Sequence, residues 1–173
     1  MGVGKLTVAK LLAEKTGYKL SHNHLFNDLV YSLFDRGTLE ANEILEELRY
    51  EMYGKAVSMK RSFIMTHAYS HNFVSLTGQT DPQYLKNLQD KMGSAGAKTY
   101  FVHLKADDEV LLERVSQESR KEFGKLTDIE IMKGYLHTKD FKSSPEMDNQ
   151  IVIDTSGLDA QETTQKVMDF ISM

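Results

Sequence analysis

The pattern of apolar and polar positions predicts helices that alternate with short buried strands. Four compact apolar runs are typical of strands, at residues 18–21, 62–66, 99–104 and 151–153. Between and beyond them, apolar residues recur every three or four positions in helices that begin near residues 5, 25, 39, 81, 107, 128 and 159. Strands separated by helices indicate an α/β fold with three layers, α/β/α, around a parallel sheet.

Capping residues predict where several of these helices start and stop. Thr38 is suited to cap the helix that follows it, and Asp81 before Pro82 predicts an aspartate cap with proline at the first helical position. The run Thr127-Asp128-Ile129-Glu130 has the spacing of a capping box. Gly17 predicts the end of the first helix.

Composition and charge narrow the class of protein. The chain has 173 residues, 40% apolar and 27% charged, which predicts one globular domain over residues 1–173. Its 21 Lys and Arg against 25 Asp and Glu give a net charge of −4, so we expect no nucleic-acid partner. With no cysteine, disulfides and thiolate zinc sites are excluded, and a cytoplasmic location fits. No apolar run approaches the ~20 residues of a membrane span, so we expect no membrane partner.

The strongest chemical signal is a glycine-rich run that opens the first helix: Gly2, Val3, Gly4, Lys5, Leu6 and Thr7. Glycines let backbone amides surround an anion, lysine adds a charge for the outer phosphates, and a hydroxyl can hold Mg²⁺. Against the pattern Gly-x-x-x-x-Gly-Lys-[Ser/Thr], only the second half is present. Leu6 occupies the Ser/Thr position and Thr7 comes one residue later. An ordinary glycine-rich helix start is the alternative interpretation.

Three segments carry a resemblance to a known family: residues 2–13, residues 101–105 with 111–115, and residues 151–158. Together they resemble the P-loop small-molecule and nucleoside-monophosphate kinases, which include adenylate, shikimate and gluconate kinases and overlap proteins often described as AAA-family ATPases. The resemblance covers nearly the whole chain. Adenylate kinases also carry their threonine one residue late. The resemblance implies a P-loop nucleoside triphosphate hydrolase-like fold with ATP and Mg²⁺ as cofactors.

The resemblance also implies roles for later residues. Arg114 is expected near the adenine, and Thr155 to Gly157 are expected to border it. Residues 117–127 are polar, contain Gly124 and suit a mobile lid that carries Arg120. A solvated helix end is the alternative for this segment.

In this family a first strand precedes the glycine loop and lies at the centre of the sheet. This N-terminal strand is missing from the strands that the present sequence predicts. Unpaired buried backbone groups cost about 1–3 kcal/mol each, so the gap needs an explanation. A downstream start codon is the favoured origin of the gap. Two consequences stay open, namely a strand recruited from another protomer and a fold that tolerates the gap and binds nucleotide poorly. An exposed gap would also favour a homodimer.

The acceptor side is expected where strands end, because open α/β sheets bind ligands beyond the carboxyl ends of their strands. His22-Asn23-His24 follows the first visible strand, and His22, His24 or Asp28 could serve as a base. Capping and structural hydrogen bonds are an equally weighted alternative. The strand ending at Thr66 has no acidic residue after it, and the loop that begins at His67 could line the acceptor pocket. A zinc site built from histidines is a weaker alternative.

These observations predict ATP-dependent phosphoryl transfer to a small-molecule acceptor. The predicted catalytic residues are Lys5, Arg120, His22 and His24. The predicted cofactor-binding residues are Gly2, Val3, Gly4, Lys5, Leu6, Thr7, Arg114, Thr155 and Gly157, with Thr7 as the magnesium ligand. A non-enzymatic member of the same fold, acting through a partner, is the rival hypothesis.

Overall fold

A computed structural model describes residues 2–116 and 128–172. Within these ranges the helices are α1 (Lys5–Thr16), α2 (Asn23–Tyr31), α3 (Leu39–Ser58), α4 (Asp81–Ser94), α5 (Asp108–Val115), α6 (Ile129–Thr138) and α7 (Ala160–Ile171). The strands are β1 (Lys19–Ser21), β2 (Phe63–Met65), β3 (Phe101–Lys105) and β4 (Gln150–Asp154). All four predicted strands are present, with bounds that shift by one or two residues.

The strands pair in parallel, as the alternation of helices and strands predicts, but they form two sheets. β1 pairs with β2, with Leu20 opposite Ile64. β3 pairs with β4, with His103 opposite Val152. No ladder joins β2 to β3 in the described part of the chain. The α/β class and the parallel direction are therefore confirmed, while the sheet is divided in the middle.

Each small sheet has its own apolar core. One core packs α1, α5, α6 and α7 around β3 and β4, and its most buried members include Val115 and Met132, neither of which is exposed. The second core packs α2, α3 and α4 around β1 and β2, with Ala41 and Leu88 buried at its centre. α1 contacts α7 as well as β1 and β2, so this helix links the two halves.

One helix start and one helix end follow the sequence signals, and two helix starts differ from them. Thr38 caps α3 by accepting the Ala41 N–H at 3.3 Å, as predicted. The prediction of Asp81 as a cap is wrong, because Thr80 caps α4 in a capping box with Gln83 and Asp81 is the first helical residue. Gly17 ends α1 in the left-handed conformation that was predicted for it.

The start of α6 is also shifted from its prediction. Asp128, rather than Thr127, caps α6 by accepting the N–H groups of Glu130 and Ile131. Thr127 lies outside the described residues. No helix in residues 2–116 and 128–172 is long and apolar enough to cross a membrane.

Candidate functional site

The glycine turn ahead of α1 leaves the N-terminus of this helix without a side-chain cap and without an acidic residue in its first turn. Gly2 and Gly4 have φ angles of 77° and 85°, a region that glycine occupies without strain. Gly4 is the N-cap, and no side chain caps the helix. The first turn holds no acidic residue either. The first-turn amides of α1 are therefore oriented as amides are in an anion site.

Gly2 is also fixed by close packing. A Cβ atom at this position would lie 3.1 Å from Cδ2 of Leu111 on α5, so a side chain here would crowd Leu111 as well as strain the backbone at its positive φ. Val3 is buried and lies against the interior, while Lys5 and Leu6 are half-buried and Thr7 is exposed on the first turn. Adjacency along the chain brings the predicted loop residues together, and the turn is packed against the start of α5.

A cleft of about 1100 Å³ separates the two sheets. β2 and β3 both line it along their length, and apolar residues of α1, α4 and α7 complete its walls. We call this space the central cleft. Lys5 and Val3 lie at its edge, so the glycine turn opens onto the same space as the two strands.

One end of the central cleft is polar and rich in lysine. The polar residues that line it around the carboxyl ends of β2 and β3 include Lys5, His67, Tyr69, His103, Lys105, Lys139, Asp140 and Lys142. Three of these lysines, Lys105, Lys139 and Lys142, were missed from the sequence because they are dispersed along it. Their signal appears only after folding, when these four lysines, together with Lys60 and Lys98 elsewhere in the wall, line one cleft, an arrangement that suits a polyphosphate.

Hydrogen bonds hold the lysine-bearing segment against the loop after β2. The Asn72 side chain donates to the Thr138 carbonyl at 2.9 Å and accepts the Asp140 N–H at 2.9 Å. The His71 N–H donates to the Asp140 carbonyl at 2.7 Å. Lys142 pairs with Asp108 at 3.0 Å. The first three contacts hold Lys139 beside the loop that carries His67, and the fourth ties Lys142 to the start of α5.

His103 and Tyr69 sit within this polar end in their neutral forms. His103 contacts the Ser144 hydroxyl at 2.5 Å and the Phe141 carbonyl at 3.1 Å. Burial lowers the pKa of His103, and the charges of Lys105 and Lys5 lower it further. Burial, together with the charges of Asp81 and Asp140, raises the pKa of Tyr69 to about 12.

The loop after β2 contains a histidine–carboxylate pair. Nε2 of His67 lies 3.1 Å from Oδ1 of Asp81, whose other oxygen accepts the Ser70 N–H at 2.7 Å. Asp81 is only 5% exposed. The imidazole stacks on the Tyr84 ring at a centroid distance of 5.0 Å. The sequence placed His67 in an acceptor loop, but it gave no signal for this pair, whose members are fourteen positions apart.

The predicted acceptor residues His22 and His24 lie elsewhere. His22 is the N-cap of α2 without a side-chain capping bond, and its ring lies 6.1 Å from that of His24. Burial, and after it the charge of His24, lowers the pKa of His22. Its Nδ1 atom is buried without a hydrogen-bond partner. Neither histidine is among the described residues that line the central cleft, so their catalytic role stays a prediction.

Two of the predicted adenine-side residues contact each other. The Arg114 guanidinium donates to the Thr155 hydroxyl at 3.0 Å and to the Thr155 carbonyl at 2.7 Å. Thr155 is buried, and its N–H and hydroxyl also donate to the Lys105 carbonyl. Gly157 is exposed in the following turn, with open space around it. These contacts tie the turn after β4 to α5; adenine binding there stays a prediction.

Some of the predicted site residues lie outside the part of the chain that the structure describes. Arg120 and the proposed lid at residues 117–127 lie outside the described residues. Within residues 2–116 and 128–172, no group of three or more His, Cys, Asp or Glu side chains could hold a metal ion, which leaves the zinc alternative without support. The assignment of Thr7 to magnesium stays a prediction, because a P-loop metal is held mainly by hydroxyl and phosphate oxygens.

Comparison with known proteins identifies the class of fold. No family model matches this chain. No curated protein matches it either. Among solved structures, a sugar kinase from Janibacter sp. HTCC2649 matches 99% of this chain and 89% of its own, at 18% identity and a TM-score of 0.66.

Two further solved structures have a similar fold. A gluconokinase from Sinorhizobium meliloti 1021 matches 99% of this chain and 87% of its own, at 14% identity and a TM-score of 0.61. The tunicamycin resistance protein of Deinococcus radiodurans matches 96% of this chain and 90% of its own, at 16% identity and a TM-score of 0.62. The resemblance to small-molecule kinases is thus confirmed at the level of the fold.

Proposed function

We propose that this chain is an ATP-dependent kinase that transfers a phosphoryl group to a hydroxyl of a small-molecule acceptor. The observation that carries the proposal is the uncapped N-terminus of α1, free of acidic residues, with Lys5 at a cleft lined by further lysines. Such an arrangement suits the phosphates of a nucleotide. Sugar kinase and gluconokinase among the structural neighbours favour a polyhydroxylated acceptor.

The residues present fit a magnesium–nucleotide complex. The amides of Gly2 to Thr7 would hold the phosphates, Lys5 would bridge the outer ones, and Thr7, exposed on the first turn, would hold Mg²⁺. Bound Mg²⁺ would neutralise charge on the phosphate oxygens during transfer. Arg114, Thr155 and Gly157 are assigned to the adenine side and Arg120 to the lid.

The proposal includes the P-loop class of fold, with three layers and a strand between β2 and β3. A strand residue occupies about 160 Å³, from a rise of about 3.3 Å, a strand spacing of about 4.8 Å and a layer spacing of about 10 Å. A strand as long as the five residues of β3 would occupy about 800 Å³ of the central cleft of about 1100 Å³ and would leave its polar end open to ligands. The facing edges of β2 and β3 support this interpretation, because a parallel strand between them would make the two sheets one.

We further propose a single domain that works in the cytoplasm on a free small molecule. We also propose a homodimer, in which a second copy of the chain covers the open edges of β2 and β3. His22 and His24, close to β1, are assigned to positioning the acceptor. His22 is neutral at pH 7 because its pKa is lowered, so it can accept a hydrogen bond there.

The test is thermal unfolding with and without Mg-ATP. At about 100 times its dissociation constant, a ligand stabilises the folded state by about 2.7 kcal/mol, or about 5–10 °C for a chain of this size. We expect this shift in the wild type and its loss in Lys5→Ala. Lys15→Ala, exposed in the last turn of the same helix, is the matched control and should keep the shift. An equal shift in Lys5→Ala would contradict the proposed phosphate site.

One observation favours the rival hypothesis of a non-enzymatic nucleotide-binding protein. Thr66 and His67 follow β2, so this strand does not itself end in an acidic residue that could support Mg²⁺. Binding of Mg-ATP without turnover of gluconate, glucose or water would favour the rival. ADP formation that depends on Lys5 would favour the kinase.

A further inference from the structure

The His67–Asp81 pair has the geometry of a proton acceptor aimed at the central cleft. His67 lines the cleft, and its side chain is 19% exposed, whereas the Asp81 side chain is 6% exposed. The carboxylate is therefore hidden behind the imidazole that it contacts. Of the pair, only the imidazole is placed to meet a molecule in the cleft.

Asp81 is held so that it can fix the ring of His67. As the first residue of α4, its carboxylate lies at the positive end of a helix dipole. It accepts the Ser70 N–H at 2.7 Å and faces Nε2 of His67 at 3.1 Å. A carboxylate accepts and cannot donate, so Nε2 carries the proton of the neutral imidazole. Nδ1 is then the basic nitrogen.

Stacking fixes the plane of the imidazole as well. Tyr84, one turn along α4 from Asp81, stacks on the ring with an interplanar angle of 25°. Lys5 lines the same cleft as His67, and so does His103, whose ring packs against Tyr69 in the His67 loop. The phosphate-loop lysine and the imidazole of the histidine pair therefore face one shared space.

We propose that His67, oriented by Asp81, is the catalytic residue that accepts the proton of an acceptor hydroxyl during phosphoryl transfer. The inference rests on the proposed kinase function. The acceptor O–H gives its proton to Nδ1 of His67 as the oxygen attacks the γ-phosphorus of ATP. The bond from that phosphorus to the bridging oxygen breaks, and ADP leaves with the electron pair. The imidazolium, paired with the Asp81 carboxylate, later returns the proton to water.

The first experiment determines which ring nitrogen of His67 carries the proton, a measurement that does not require enzymatic activity. In the full chain at pH 8, ¹⁵N NMR should show a protonated Nε2 and an unprotonated Nδ1. Asp81→Asn keeps an acceptor for Ser70 but can offer an N–H to Nε2, so the proton should move to Nδ1. A wild-type ring protonated on Nδ1 would overturn the proposal.

The second experiment measures ADP formation from Mg-ATP with gluconate, glucose and water as probe acceptors. General-base catalysis contributes about 10²–10⁴-fold, so His67→Gln and His67→Ala should lower kcat by that factor. Imidazole added to the solution should restore part of the rate in His67→Ala, which has a vacant ring site, and none in His67→Gln. His137→Gln, exposed on α6, is the control and should match the wild type.

The outcomes separate this inference from the kinase proposal. Turnover that is unchanged in His67→Gln, or that imidazole fails to rescue in His67→Ala, overturns the role of His67 and leaves the kinase proposal standing. A wild-type chain that binds Mg-ATP and turns over none of the three probes counts against both. Loss of rate with KM unchanged, together with rescue, supports the proposal, since a purely structural role would not respond to imidazole.

Discussion

Asp81 is a carboxylate that folding removes from water and supplies with two donors. The Ser70 N–H and His67 lie on its two oxygens, and the helix dipole of α4 adds a favourable field. A buried carboxylate without such partners would be strongly destabilising. Its oxygens contact the loop after β2, while Thr80 caps α4. The Asp81 side chain therefore serves the tertiary fold and the orientation of His67 rather than the helix cap.

A pH dependence of stability follows from His103. Its pKa is lowered chiefly by burial, so the folded state binds fewer protons than the unfolded state below the ordinary value of 6.5. The contribution of the neutral His103 to the free energy of unfolding is therefore fully present above pH 6.5, and it is lost as the pH drops below that value. We expect urea unfolding at pH 7.5 and 5.5 to show a smaller loss of stability in His103→Gln than in the wild type.

The control for this measurement is His137→Gln, which changes an exposed histidine on α6. It should lose as much stability as the wild type between the two pH values. His22, whose pKa is also lowered, will leave part of the dependence in place in His103→Gln. Equal losses in His103→Gln and wild type would show that His103 does not stay neutral in the fold.

At the scale of elements, local signals predict starts and stops wherever no distant residue competes for the capping group. Thr38 and Gly17 act as predicted because their partners lie within four residues. Asp81 does not, because its partners His67 and Ser70 are brought in by the tertiary fold. The glycine turn of the candidate site was likewise visible as one local run. Lys139 and Lys142 were not, since only packing carries them to the loop at residues 67–73.

The start of α7 offers a quantitative test of local capping. Asp159 accepts the Glu162 N–H at 2.8 Å, and the Glu162 side chain accepts the Asp159 N–H at 2.9 Å. Removing such a cap costs about 0.5–2 kcal/mol, so Asp159→Ala should lower the free energy of unfolding by that amount. Lys166→Ala, exposed in the middle of the same helix, should change it little. Chemical denaturation of both variants makes the comparison, and equal stabilities would show that the cap contributes nothing.

At the scale of the whole molecule, two half-sheets with separate cores are joined through α1. This helix begins at the candidate phosphate loop and contacts α7, β1 and β2. A ligand held at its N-terminus would therefore stabilise the junction of the halves rather than one of them. The same junction contains the central cleft, where the edges of β2 and β3 face each other without a ladder in the described chain. Nucleotide binding and completion of the sheet should thus reinforce each other.

A designed strand tests whether the cleft completes the sheet. Five alternating valine and threonine residues, joined ahead of Gly2 by a short Gly/Ser linker, match the length of β3 and leave the polar end of the cleft open. We expect amide hydrogen exchange in Phe63–Met65 and Phe101–Lys105 to slow and the unfolding midpoint to rise, because both edges gain partners. The same insert with proline at alternate positions lacks the N–H donors for a ladder and should give neither effect. Protection by both inserts would indicate apolar filling alone, and protection by neither would show that the cleft does not accept a strand.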